Sequence, residues 1–261
     1  MQVYLINLDR HTQRLARMEQ QLRGVRCHRI AAVEGKTIAG PEQRDRSLPR
    51  STENVSRYSK ACALSHRVAW KEFLAGTEKF ACVLEDDLHV SPDFHRFIND
   101  ESWIPAGCDL VKIETNLHGV FVSREMRRCL DRSAVVLHSL HLGSAGYIVS
   151  RKGAKDLIER TEVLDMPTDW LIFGEAALHR HFPVYQLIPG LCVQGARLPG
   201  GIVIPEMQSA IQVPVQMPPP KTILTRIRAE TTRPFHQMAR WPERMLKQLR
   251  LRARWCEVPF A

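Results

Sequence analysis

The chain has 261 residues, 44% hydrophobic and 25% charged, ordinary for a globular protein and long enough to bury a sizeable core without disulfides or structural metal. Its seven cysteines, at 27, 62, 82, 108, 129, 192 and 256, are odd in number and form no C-x-x-C pair, which argues for a reducing compartment and against a zinc ribbon or a secreted disulfide framework. The net charge of +9 is lopsided: from Lys221 to Cys256 ten Lys and Arg face two acids, Glu230 and Glu243, a surplus of eight that leaves +1 for everything else.

A near-neutral domain is therefore expected to carry a basic tail that attracts phosphates, whether of anionic lipid, nucleic acid or an acidic partner. The opening residues, Met1 to Asn7, lack a basic region followed by a long apolar stretch, and no run of 18 apolar residues occurs. Neither a signal peptide nor a membrane span is expected, and the location expected is cytoplasmic.

In chain order, VYLINL at 3–8 reads as a short buried strand, with Asp9 placed as the N-cap of a following helix whose Leu15, Met18 and Leu22 share one face. Residues 35–60 are polar and read as a loop. Apolar positions 64, 68, 69, 73 and 74 suggest a helix from Cys62 to Leu74. KFACVL at 79–84, CDLVKI at 108–113, SAGYIVS at 144–150 and Val184 to Ile188 read as strands, with a helix from Lys152 to Arg160. Strands alternating with helices imply an α/β sheet, mixed and mostly parallel. The expected domain runs over 1–198. A Pro- and Gly-rich linker follows over 199–220, then a basic amphipathic segment over 221–261 with helices divided near Pro234 and Pro242.

Four groups of residues carry possible chemistry. Glu85, Asp86 and Asp87 directly follow a buried strand, and three adjacent carboxylates repel one another unless something offsets them. Hard oxygen donors at the carboxyl end of a strand suit Mg²⁺ or Mn²⁺ with substrate phosphates; the alternative is a solvated acidic loop. In Asn7-Leu8-Asp9-Arg10, amide and carboxylate suit a base and ribose, while Arg10 and Arg14 suit phosphate; the alternative is a helix cap. Ser65-His66 offers a substrate contact or a satisfied structural histidine. In Pro167-Thr168-Asp169-Trp170, Asp169 offers a general base beside a sugar-stacking ring, or another cap. No P-loop, G-x-G-x-x-G, G-x-S-x-G or H-E-x-x-H motif occurs.

Five blocks in order, VYLINLDRHTQRL, ACALSHRVAWKEFL, FACVLEDDLHVSPDF, GSAGYIVSRKGAKDLI and PTDWLI, with VYQLIPGLCVQ closing the domain, resemble glycosyltransferase family 25, whose members include lipopolysaccharide and lipooligosaccharide sugar transferases. The resemblance implies a GT-A-like nucleotide-sugar-binding domain, a UDP-sugar donor with galactose the usual hexose, a saccharide or glycolipid acceptor, and inversion at the anomeric carbon. By position it implies that Asp87 and Glu85 hold Mn²⁺ or Mg²⁺. Asn7, Asp9, Arg10, Arg14, Ser65, His66, Glu85 and Asp86 then bind the nucleotide-sugar, and Asp169 is the base. Ala61 stands where the family usually has glycine, and the acidic motif is E-D-D rather than D-x-D.

Beyond the resemblance, Leu246, Leu249 and Trp255 alternate with Arg244, Lys247, Arg250, Arg252 and Arg254, a pattern suited to the inner face of the cytoplasmic membrane. Two competing readings are an inactive member that only binds nucleotide-sugar and a basic nucleic-acid-binding protein; one aromatic near the Arg cluster and no binding motif count against the latter, so no nucleic-acid partner is expected.

Overall fold

The computed structural model describes residues 1–45, 51–174, 183–198 and 252–261. In chain order these form β1 (Gln2–Asn7), α1 (Thr12–Gln21), β2 (Cys27–Ala31), α2 (Arg57–Ala75), β3 (Phe80–Glu85), β4 (Leu88–Val90) and α3 (Phe94–Asn99). Then follow β5 (Leu110–Lys112), β6 (Glu114–Thr115), β7 (Gly119–Ser123), β8 (Arg127–Cys129), β9 (Arg132–Val136), β10 (Gly146–Ser150), α4 (Arg151–Arg160), α5 (Thr168–Phe173), β11 (Val184–Ile188), β12 (Cys192–Gln194) and β13 (Ala253–Glu257).

An eight-stranded mixed sheet runs β2-β1-β3-β10-β5-β11-β9-β8. Its two-residue side-chain period sorts the core into two layers. Val3, Leu5, Cys82, Leu84 and Ile148 face Met18 and Leu22 at the α1 end and Phe94, Phe97 and Ile98 of α3. Tyr4, Ile6, Ala81, Val83, Tyr147 and Val149 face Ala69, Trp70 and Phe73 of α2, Leu157 of α4 and Phe173 of α5. Strands apolar on both faces are what a helix–sheet–helix sandwich requires.

The sheet is less parallel than expected. The pairs β1·β2, β1·β3 and β5·β11 are parallel, whereas β10 runs antiparallel to both β3 and β5, and β9 to both β8 and β11. The cause lies in 119–136, where no strand was expected: β8 and β9 form a tight hairpin turning at Leu130, whose φ is +56°, and β10 re-enters mid-sheet in the opposite sense.

Two smaller sheets complete the fold, β4-β12-β6 and β7-β13. The second corrects the end of the expected helical tail. Residues 253–257 are a strand with Trp255 opposite Phe121, and Val258 is fully buried. Arg132 donates to the Ala261 carbonyl at 2.7 Å, and the Gly190 amide to that of Pro259 at 2.7 Å. The last residues of the chain thus close the domain. The expected linker and most of the basic segment, 199–251, lie outside the described residues.

The first helix also starts differently. His11, not Asp9, occupies its N-cap position and makes no side-chain cap bond. The second begins at Arg57, five residues before the expected start, because the Ser56 hydroxyl accepts from the Ser59 amide.

Candidate active site

The site follows from strand adjacency. β1 and β3 are parallel neighbours with Ile6 opposite Glu85, so their carboxyl ends deliver residues 7–14 and 85–87 to the same sheet edge, where ligands of open α/β sheets bind. Tyr58, Ala61, Cys62, Ser65 and His66 recur at helical spacing and present one face of α2 to this edge. With Leu8, Arg10, His11, Arg14, Val33, Gly35 and the three acids they line a cleft. Gly35 is required there: a Cβ would lie 2.3 Å from the Tyr58 ring.

The three acids have three different environments. Asp86 turns inward; its carboxylate accepts from Asn7 Nδ2 at 2.7 Å and from Arg14 at 3.0 Å, and the Arg17 guanidinium reaches its carbonyl at 3.2 Å. Asn7 is in turn held by Arg29, which donates to its side-chain oxygen at 3.1 Å. Asn7, Arg14 and Asp86, each expected to meet the nucleotide-sugar, are therefore brought together, and here they satisfy one another.

Glu85 closes β3. Its Oε1 accepts from the Ser144 hydroxyl at 3.0 Å and pairs with His66 Nε2 at 3.2 Å. Burial alone would push this carboxyl up, but the His66 contact, Ser144 and Lys112 outweigh it and hold it below the usual range. On the far side of His66, Nδ1 meets the Tyr147 hydroxyl at 2.9 Å, which also accepts from the Trp70 indole at 2.8 Å.

Asp87 is buried and incompletely satisfied. Its Oδ2 accepts from Gln194 at 3.2 Å, while its buried Oδ1 has no hydrogen-bond partner. Burial, then the charges of Glu85 and Asp86, push this carboxyl up to about 8. A buried acceptor with nothing to accept, beside two further carboxylates, fits a divalent cation, whose charge would return Asp87 to its ionised form.

Asp169 does not line the cleft directly. It sits in the first turn of α5, its carboxylate accepting from the Trp170 amide at 2.9 Å and the Gly143 amide at 3.3 Å. Burial raises it above its ordinary value. Its neighbour Thr168 donates to Cys62 Sγ at 3.4 Å, which places the start of α5 against the Cys62 end of the cleft. Ser65 is a structural tie: its hydroxyl accepts from the Val33 amide at 2.9 Å and donates to the Ala61 carbonyl at 2.8 Å. Asp9 is exposed and paired with Arg29, outside the cleft lining, and Arg10 is paired with Glu34 on the rim.

Sequence reasoning missed a buried polar group behind the cleft. Lys112 and Glu114 are fully buried and paired at 3.0 Å, and Lys112 also donates to the Gly143 carbonyl. The 143–145 segment links the carboxylates: Gly143 amide to Asp169, Ser144 hydroxyl to Glu85, Ala145 amide to Glu114 at 3.1 Å. Gly143 has φ +101°, and a Cβ there would meet Glu114 at 2.8 Å, so glycine is needed on both counts. The available signal was Lys112 and Glu114 two apart in an apolar run, where a charge survives burial only if paired.

The family model described as glycosyltransferase family 25 (LPS biosynthesis protein) matches residues 1–172. The chain belongs to that family. It is 33% identical over 150 residues to the lacto-N-neotetraose biosynthesis glycosyltransferase LgtE of Neisseria meningitidis serogroup B, covering 54% of each chain. It is 27% identical over 151 residues to the lipooligosaccharide biosynthesis protein lex-1 of Haemophilus influenzae, covering 54% of this chain and 50% of that one. The chain spans about half the length of the curated relatives it matches. A crystal structure of a glycosyltransferase involved in glycosylation of the major capsid of PBCV-1 aligns with a TM-score of 0.38 and 10% identity over 74% of this chain and 92% of that one, too slight a likeness to bear on the fold. No helix among the described residues is long and apolar enough to cross a membrane.

Proposed function

We propose that this family 25 member is an inverting hexosyltransferase with a GT-A-like domain, moving a sugar, galactose being the one expected, from a UDP-sugar to a saccharide acceptor in lipooligosaccharide or other surface-glycan assembly. The observation that carries the reading is Asp87, whose buried carboxylate oxygen stands unpartnered at the floor of a cleft. Asp87 and Glu85 are the residues that would hold Mn²⁺ or Mg²⁺, and such an ion supplies positive charge to a diphosphate as a leaving group.

The chain's own groups divide the remaining work. Asp86 neutralises Arg14 and pins Asn7, fixing the β1 and β3 ends against each other. Arg10 on the rim and His11 beside it are placed for phosphate. Burial and the Arg14 charge lower the His11 imidazole, so it presents a neutral donor at pH 7. Asp169 takes the proton of the acceptor hydroxyl: two backbone amides orient it, and its raised value brings it nearer the working pH, where a base is most effective. The expected acceptor lies at a membrane, which the basic surplus over 221–256 would approach as a peripheral contact with anionic lipid.

The test is a panel of UDP-sugars scored for protection against thermal unfolding with and without Mn²⁺, since a ligand that binds only the folded state stabilises it by mass action. The reading requires one UDP-hexose to protect, more strongly with Mn²⁺, and to be consumed when acceptor is added. Protection without turnover on any saccharide acceptor identifies a member that only binds; no protection by any UDP-sugar overturns the donor assignment.

A further inference from the structure

We propose that the same cleft holds a second kind of cation site, for a borderline-soft divalent ion such as Zn²⁺ or Cd²⁺, built from Cys62 Sγ, His66 Nε2 and the Glu85 carboxylate. One ligand atom from each of the three lies within 4.8 Å of the other two. Small inward movements bring such a trio to one ion at the usual ligand distances of about 2.0–2.3 Å. No other group of three or more His, Cys, Asp or Glu among the described residues comes as close.

The cluster follows from the fold. Cys62 and His66 are four apart on α2 and so share a face, and that face lies over the end of β3, where Glu85 stands. All three side chains line the cleft, which leaves a fourth position open, as in zinc sites with three protein ligands. The orienting partners are also in place. A ligating imidazole normally has its other nitrogen held, and His66 Nδ1 meets the Tyr147 hydroxyl, which is itself fixed by Trp70. A hydroxyl both donates and accepts, so Tyr147 serves either ring tautomer, and Nε2 can exchange its contact with Glu85 for a metal bond. Ser144 steadies the carboxylate. Binding forms the Sγ–metal and Nε2–metal bonds, moves the ring proton to Nδ1 and releases the thiol proton to solvent.

Ligand softness separates this site from the oxygen donors of the acidic cluster. Thiolate and imidazole favour Zn²⁺ or Cd²⁺, and carboxylates favour Mn²⁺ or Mg²⁺. Because Glu85 belongs to both, the two ions exclude each other. Zn²⁺ then inhibits by competing with the hard ion, a consequence that rests on the glycosyltransfer reading, whereas the binding itself does not.

Titration of the full chain with Cd²⁺, without nucleotide, tests the site through the ultraviolet thiolate-to-cadmium charge-transfer band. The background carries Cys27→Ser and Cys256→Ser, which removes the exposed and the half-buried thiol outside the cleft. One equivalent should raise the band. Cys62→Ser should abolish it and weaken Cd²⁺ by more than the roughly 10–100-fold that loss of an orienting partner costs, the effect expected for Tyr147→Phe. His66→Gln carries the same test should Cys62→Ser fail to fold. A band and affinity unchanged in either folded variant overturn the site, and so does the absence of any band. Neither result touches the donor assignment, which stands or falls on the UDP-sugar panel.

Discussion

Replacing Asp87 with Asn should stabilise the metal-free protein while removing the function proposed for it. The carboxyl is nearly inaccessible, has an unpartnered oxygen and is pushed from 3.8 to about 8. A carboxyl whose folded value lies above its unfolded one favours the fold fully below the unfolded value and loses that advantage as pH rises toward the folded value. Wild-type stability should therefore fall between about pH 4 and 8 from this group. At about 1.4 kcal/mol per pH unit, keeping the group protonated at pH 7 costs up to about 4 kcal/mol, less whatever relaxation of the site recovers. Asparagine keeps the shape and carries no charge, so it escapes this cost. The gain expected in chelator at pH 7 is about 2–4 kcal/mol, or roughly 5–10 °C in a chain of this size. Thermal unfolding of both proteins at pH 5, 7 and 8 measures it, and the gap should widen with pH. Adding Mn²⁺ should raise the wild-type midpoint alone. A variant no more stable than wild type at pH 7 in chelator, or a gap that narrows as pH rises, refutes the account of Asp87 as an uncompensated ligand.

Asp169→Asn keeps only one of the two backbone-amide contacts, because the Trp170 and Gly143 amides bond different carboxylate oxygens and asparagine has a single acceptor. It should cost about 1–3 kcal/mol of stability, while transfer by the folded protein falls on the order of 10²–10⁴-fold; activity of the folded variant within twofold of wild type removes Asp169 from the base role. Lys112→Met strands Glu114 as an unpaired buried charge and should cost about 3–5 kcal/mol in urea unfolding, much of it restored by adding Glu114→Gln. If the double variant is no better than the single, the pair is not the source of the loss. Reversing Arg244, Lys247 and Arg250 to Glu should weaken binding to anionic vesicles by more than about 1 kcal/mol per residue while leaving neutral vesicles unaffected. This variant is preferred to truncation after Pro220, which would also remove β13 and the buried Val258.

Much of the fold was legible because its strands are short apolar runs between polar turns. VYLINL, KFACVL, SAGYIVS and the 184–188 strand all lie within a residue or two of the observed elements. The region 119–136 was not, because GVFVS and RSAVV are separated by a charged stretch with no glycine or proline to mark a turn, and the hairpin turns on Leu130 at positive φ. Strand sense was not legible either: parallel and antiparallel neighbours use the same apolar residues, and only the connection decides between them. At the site, the acidic cluster announced itself, whereas Lys112, Tyr147 and Gln194 looked like ordinary members of apolar runs.

By itself the sequence placed Asn7 after one strand, Glu85 to Asp87 after another, and Ser65 and His66 together in a helix; that the two strands are parallel neighbours, and so share one sheet edge, came from the tertiary structure. The tertiary structure decided what each of them faces. Asp86 is consumed by Asn7 and Arg14, Ser65 by the Val33 amide, and Glu85 by His66 and Ser144, while Asp87 is left with an open oxygen. It also brought residues 253–261 back across some 130 positions of chain to close the domain over Arg132 and Thr115. Partnership is a matter of geometry between segments distant in the chain, and hydrogen bonds of about 3 Å are settled only once those segments have packed.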